Sequence, residues 1–75
     1  MNVLNSQQIE GVLCKKLEAV RLMKNVTQAN LAEAAGVSRR TISRMENGKG
    51  TSLDTFIRVM MALDLSDHLL SLIHI

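Results

Sequence analysis

The chain has 75 residues, of which 47% are apolar and 1% aromatic, with one cysteine, no proline and a formal net charge of +2. A chain this short makes one small domain, residues 1–75; Cys14 alone cannot form an internal disulfide, and no Cys/His set has the spacing of a zinc site, so neither metal nor cofactor is expected. No apolar run approaches the roughly 20 residues that span a bilayer and the polar N-terminus lacks a signal-peptide layout, which predicts a soluble, cytoplasmic protein with no membrane partner.

With Phe56 the lone aromatic, the core must come from Leu, Ile, Val, Met and Ala. That composition, free of proline, predicts an all-α fold, and caps and periodicity divide it into five helices. Ile9, Val12, Leu13, Leu17 and Val20 form the apolar stripe of a first helix over about residues 6–24, with Asn5 or Ser6 as its N-cap. Cys14 lies beside that stripe and reads as a small buried hydrophobe rather than a redox centre. Thr27 caps a short second helix that Gly36 closes, and its alanines (Ala29, Ala32, Ala34, Ala35) let a neighbour approach closely.

Ser38 caps a third helix that stops at Gly48, only Ala35, Gly36 and Val37 separating it from the second; residues 27–48 thus have the layout of a helix-turn-helix unit. Ser52 opens a fourth helix with the stripe Leu53, Phe56, Ile57, Met60 and Leu63, and Asp54 in its first turn. Ser66 opens a fifth, ending in Leu69, Leu70, Leu72 and Ile73. Thr27, Ser38 and Ser52 read as caps, since no His or Cys stands at a spacing that would activate them as nucleophiles. His68 and His74 are too far apart in sequence to share one helical face as metal ligands. No acid-base pair is found, and no enzymatic activity is expected.

The positive charge is concentrated. In residues 38–50, Arg39, Arg40, Arg44 and Lys49 face only Glu46, whereas residues 51–75 are net negative. At about 100° per residue, Ile42 and Met45 mark the inward side of the third helix, and Arg40, Arg44, Asn47 and Ser43 fall on the outer side. A helix of this width fits the DNA major groove, and a guanidinium fork can bond O6 and N7 of guanine together, so Arg40 and Arg44 are the leading base readers. Arg39, in the first turn, can read a base or grip a phosphate, and Gln28, first in the second helix, is placed for a phosphate at a helix N-terminus.

Thr27-Gln28, Leu31-Ala32, Ala35-Gly36-Val37-Ser38, Thr41-Ile42-Ser43, Glu46-Asn47-Gly48 and Ser52-Leu53-Asp54-Thr55 stand in an order and spacing that resembles the Cro and phage-repressor type (XRE) helix-turn-helix regulators, over about residues 9–70. The resemblance implies a compact five-helix, lambda-repressor-like domain. It implies base reading by Arg39, Arg40, Ser43 and Arg44 and phosphate contacts from Thr27, Gln28, Ser38, Thr41, Asn47 and Lys49. It also implies a structural ion pair between Arg21 and Glu46. One departure is that only Lys49, Gly50 and Thr51 separate the Glu-Asn-Gly turn from Ser52, where family members commonly carry a further residue and a proline.

The apolar C-terminal region exceeds what so small a domain easily hides, and Met61, Leu65, Leu69, Leu72 and Ile73 are expected at a homodimer interface. A dimer would set two reading helices about 34 Å apart on a palindromic operator. The leading expectation is a sequence-specific transcriptional regulator, a repressor, with double-stranded DNA as partner. The alternative is a DNA-binding antitoxin whose C-terminal surface holds a toxin.

Overall fold

The computed structural model describes residues 3–65. Among them are four helices, α1 (Ser6–Met23), α2 (Gln28–Ala35), α3 (Arg39–Glu46) and α4 (Leu53–Ala62), and no strand. The fifth expected helix, from Ser66, lies outside the described residues. No described helix is long and apolar enough to cross a membrane.

Each helix starts on a polar cap. The Asn5 side chain accepts from the Gln8 N–H at 2.8 Å while the Gln8 side chain accepts from the Asn5 N–H at 2.9 Å, a reciprocal capping box that had not been foreseen. Thr27, Ser38 and Ser52 accept from the backbone N–H of Asn30, Thr41 and Thr55 respectively. Each cap satisfies one of the donors a helix start leaves unpaired. The ends are equally defined: Asn25, Gly36, Gly48 and Asp64 all take left-handed φ values near +60 to +70° just past the helices. At Gly36 the Val37 N–H reaches back to the Ala32 carbonyl at 3.0 Å, and at Gly48 the Lys49 N–H reaches the Arg44 carbonyl at 2.9 Å. The turn of the helix-turn-helix unit is therefore Gly36, Val37 and Ser38, one residue later than expected, because α2 runs through Ala35.

α2 packs on both α3 and α4, and α1 packs on α3. Among the described residues the core comprises Cys14 and Leu17 from α1, Leu31, Ala32 and Ala35 from α2, Ile42 and Met45 from α3, and Val59 and Leu63 at α4. The close α2 contacts use Ala32 and Ala35, whereas Ala29 and Ala34 face outward.

Two expected stripes are rotated. On α1 the buried residues are Cys14, Leu17 and Arg21, while Ile9, Val12 and Leu13 remain 46%, 49% and 44% exposed. The face of α1 turned inward is the one carrying Cys14, Leu17 and Arg21, spaced three and four apart, so the neighbouring Leu13, about 100° round the helix, and Ile9 one turn before it line a surface groove with Leu53 and Phe56 instead. On α4 the inward face centres on Val59, which is fully buried, with Phe56, Ile57 and Met60 beside it only partly buried, and Leu53 stands 74% exposed. Cys14 is buried as expected, and burial, with Glu10 nearby, pushes its thiol pKa up, which favours the protonated thiol over the nucleophilic thiolate.

Candidate nucleic-acid interface

α3 is divided lengthwise. Ile42, Met45 and Glu46 are buried, while Arg39, Arg40, Arg44 and Asn47 are exposed and Ser43 and Thr41 are partly buried. The helix thus presents three guanidiniums and the Asn47 amide on the side opposite the core. Among the described residues, none of Arg39, Arg40 and Arg44 pairs with a carboxylate. The other described arginines are neutralised locally, Arg21 by Glu46 and Arg58 by Asp54. The positive charge of α3 is therefore directed to solvent without internal compensation.

Its base is held by an interhelical polar cluster. Arg21 Nε donates to Glu46 Oε2 at 2.7 Å and Nη2 to Oε1 at 3.1 Å, a two-point clasp between α1 and α3, and Nη1 donates to the Val26 carbonyl at 2.8 Å. Gln28 Nε2 donates to Glu46 Oε1 at 2.8 Å, joining α2 to the same carboxylate. Burial by itself pushes the Glu46 carboxyl pKa up. The hydrogen bonds from Arg21 and Gln28 and the guanidinium charge outweigh it and hold the carboxyl below its ordinary range. Arg21 is shifted up, mainly by its hydrogen bond to Glu46. No buried side-chain nitrogen or oxygen among the described residues lacks a partner.

The remaining sequence-expected contacts are placed as follows. Thr27 and Ser38 spend an oxygen lone pair on their helix caps, and the hydroxyls of Ser38 and Thr41 bond each other at 2.8 Å. Gln28, Arg39, Arg40 and Ser43 surround one shallow depression between the starts of α2 and α3. Asn47 and Lys49 are exposed at the far end of α3. Asn47 and Gly48 share a second groove with Lys15 and Lys16, two cations that sequence reasoning had left on an unassigned face of α1. The expected interface residues Met61 and Leu65 are 61% exposed and partly buried, respectively, and Leu69, Leu72 and Ile73 lie outside the described residues. Sequence reasoning missed the Gln28 bond to Glu46, because nothing local connects two residues 18 positions apart.

A family profile described as Helix-turn-helix matches residues 17–70, which takes in α2, α3 and α4 whole. The chain belongs to the XRE-type helix-turn-helix family. Within that family it is similar to the HTH-type transcriptional regulator PrtR of Pseudomonas aeruginosa, 41% identical over 51 residues that cover 68% of this chain and 20% of the relative. It is also similar to the antitoxin HipB of Escherichia coli, 38% identical over 55 residues that cover 72% of this chain and 58% of HipB. A putative HTH-type transcriptional regulatory protein of Methanocella arvoryzae is 40% identical over 57 residues, 76% of this chain and 17% of the relative. The chain thus spans less than two thirds of the length of each of these helix-turn-helix proteins.

Proposed function

We propose that this chain is a non-enzymatic, sequence-specific DNA-binding regulator of transcription that lays α3 in the major groove and acts as a repressor. The observation that carries the reading is the outer face of α3, where Arg39, Arg40 and Arg44 stand exposed and unpaired with any described carboxylate above a buried, clamped base. Arg40 and Arg44 read bases by bidentate bonds to guanine, with Arg39 and Ser43 assisting. Thr27, Gln28, Ser38, Thr41, Asn47 and Lys49 flank that face and grip the phosphates on either side. Resemblance to proteins named as HTH-type transcriptional regulators supports the same role.

A homodimer using Met61 and the C-terminal residues Leu65, Leu69, Leu72 and Ile73 would match a palindromic operator with half-sites about 34 Å apart. Selecting the preferred duplex from a random pool tests both points, since a dimer yields a symmetric site. On that duplex Arg40→Ala and Arg44→Ala should each weaken binding by about 1–3 kcal/mol and relax preference at one base pair. Unchanged affinity and preference in both variants would overturn the assignment of the reading face.

A second reading, as the DNA-binding antitoxin of a toxin–antitoxin pair, is favoured by the similarity to HipB over 72% of the chain. It requires a stable complex with a co-encoded protein. Co-expression of this chain with its genomic neighbours, followed by size-exclusion chromatography, separates the readings: absence of a stoichiometric complex removes the second.

A further inference from the structure

We propose that Gln28 is a positioning residue for DNA reading, tying the first turn of α2 to the buried base of α3 through its hydrogen bond to Glu46. The inference rests on the DNA-binding reading above. An ionised carboxylate only accepts hydrogen bonds, so the Gln28 amide must turn its nitrogen toward Glu46, and this fixes the orientation of the side chain. At 2.8 Å the bond has the short length of a charge-assisted contact. Its acceptor is itself immobile, 1% exposed and clasped by two nitrogens of Arg21.

Gln28 is the first residue of α2 and Glu46 the last of α3, so one side chain joins opposite ends of the two helices that make up the binding unit. On its other side Gln28 lines the depression it shares with Arg39, Arg40 and Ser43. It therefore bonds the scaffold and borders the reading face. Glu46 does not need this bond for its own satisfaction, because Arg21 already engages both of its oxygens. What Gln28 adds is a fixed relation between the start of α2 and the arginines of α3.

The consequence differs between the two components of DNA affinity. Attraction to phosphates is a charge effect that acts over a Debye length of about 8–10 Å and tolerates small displacements. Base-edge hydrogen bonds are directional, confined to about 2.7–3.2 Å and weakened steeply when the donor tilts away from its acceptor. Loosening the Gln28 tie thus erodes discrimination over and above the uniform loss that removing its phosphate contact brings.

The test uses the full chain, with affinities for its selected duplex and for an unrelated duplex of equal length at one salt concentration. Gln28→Ala removes a phosphate contact and so weakens both duplexes, but it should in addition reduce the ratio of the two affinities by about five- to tenfold. Carboxyl NMR should show the Glu46 pKa rising in that variant, and the melting temperature should fall by several degrees while the chain stays folded at the assay temperature. Gln28→Lys returns a donor to Glu46 and should recover the ratio, although its extra charge tightens both duplexes. An unchanged ratio in Gln28→Ala overturns the proposal. So do an equal loss on both duplexes, which would make Gln28 a plain phosphate contact, and a ratio that Gln28→Lys fails to recover. These outcomes leave the reading of α3 intact; only a wild-type chain that prefers no duplex, or that ignores the loss of Arg40 and Arg44, removes both.

Discussion

Arg21 and Glu46 come from residues 25 apart and meet with side chains only 9% and 2% exposed. Two charges so far from water persist because every hydrogen-bonding atom is engaged, and the removal of one leaves the other stranded. Arg21→Ala should therefore cost about 3–5 kcal/mol, read by chemical denaturation, whereas replacing the pair together by Met and Leu should cost far less. Lys49 is the opposite case, an exposed cation without structural duties for its side chain. Lys49→Ala should leave stability unchanged, weaken all DNA sequences alike, and flatten the dependence of log K on log salt by about one unit. A filter-binding titration at several salt concentrations reads that slope. The sides occupied by Arg39, Arg40 and Arg44 were legible in the sequence because helix geometry alone converts spacing into a face. The Arg21–Glu46 pair was reachable only through the family resemblance, and the Gln28 contact not at all, since each depends on how separate helices meet.

Among the elements, what was local was readable. Thr27, Ser38 and Ser52 cap as their chemistry dictates, and Gly36 takes the left-handed conformation at φ 72° that ends α2. A Cβ at Gly36 would also come within 3.4 Å of an Arg58 nitrogen. Gly36→Ala should lower stability by about 1–2 kcal/mol, the cost of a left-handed non-glycine residue, visible as a reduced midpoint in urea. Which side of a helix is buried proved less readable. Ile9, Val12 and Leu13 have the right period but lie on a face turned away from the core, while Cys14 and Val59, interspersed among bulkier candidates, fill the interior. Periodicity identifies an amphipathic helix; where the partner helix lies decides which of two neighbours such as Leu13 and Cys14 turns inward.

At the scale of the molecule, the lowered Glu46 pKa gives the fold an acid limit. A carboxyl whose folded pKa lies below its unfolded value contributes stability that is complete above the unfolded value, about 4.3, and disappears as pH falls through the folded one. Denaturation midpoints should hold steady from pH 7 to about 5 and then fall. The paired Met and Leu replacement of Arg21 and Glu46 should fall less steeply, and equal slopes would show that other carboxylates govern acid unfolding.

The lengthwise division of α3 also bears on how such a chain acquires new targets. Arg39, Arg40 and Arg44 have no partner among the described carboxylates and lie outside the core, so exchanging them should alter stability by no more than about 0.5 kcal/mol. A protein held only a few kcal/mol above unfolding can tolerate such exchanges in any order, without a stabilising change first. If α3 reads DNA as proposed, divergence of sequence preference is thus open to single steps at these positions, whereas Ile42, Met45 and Glu46, buried on the opposite face, are closed to it.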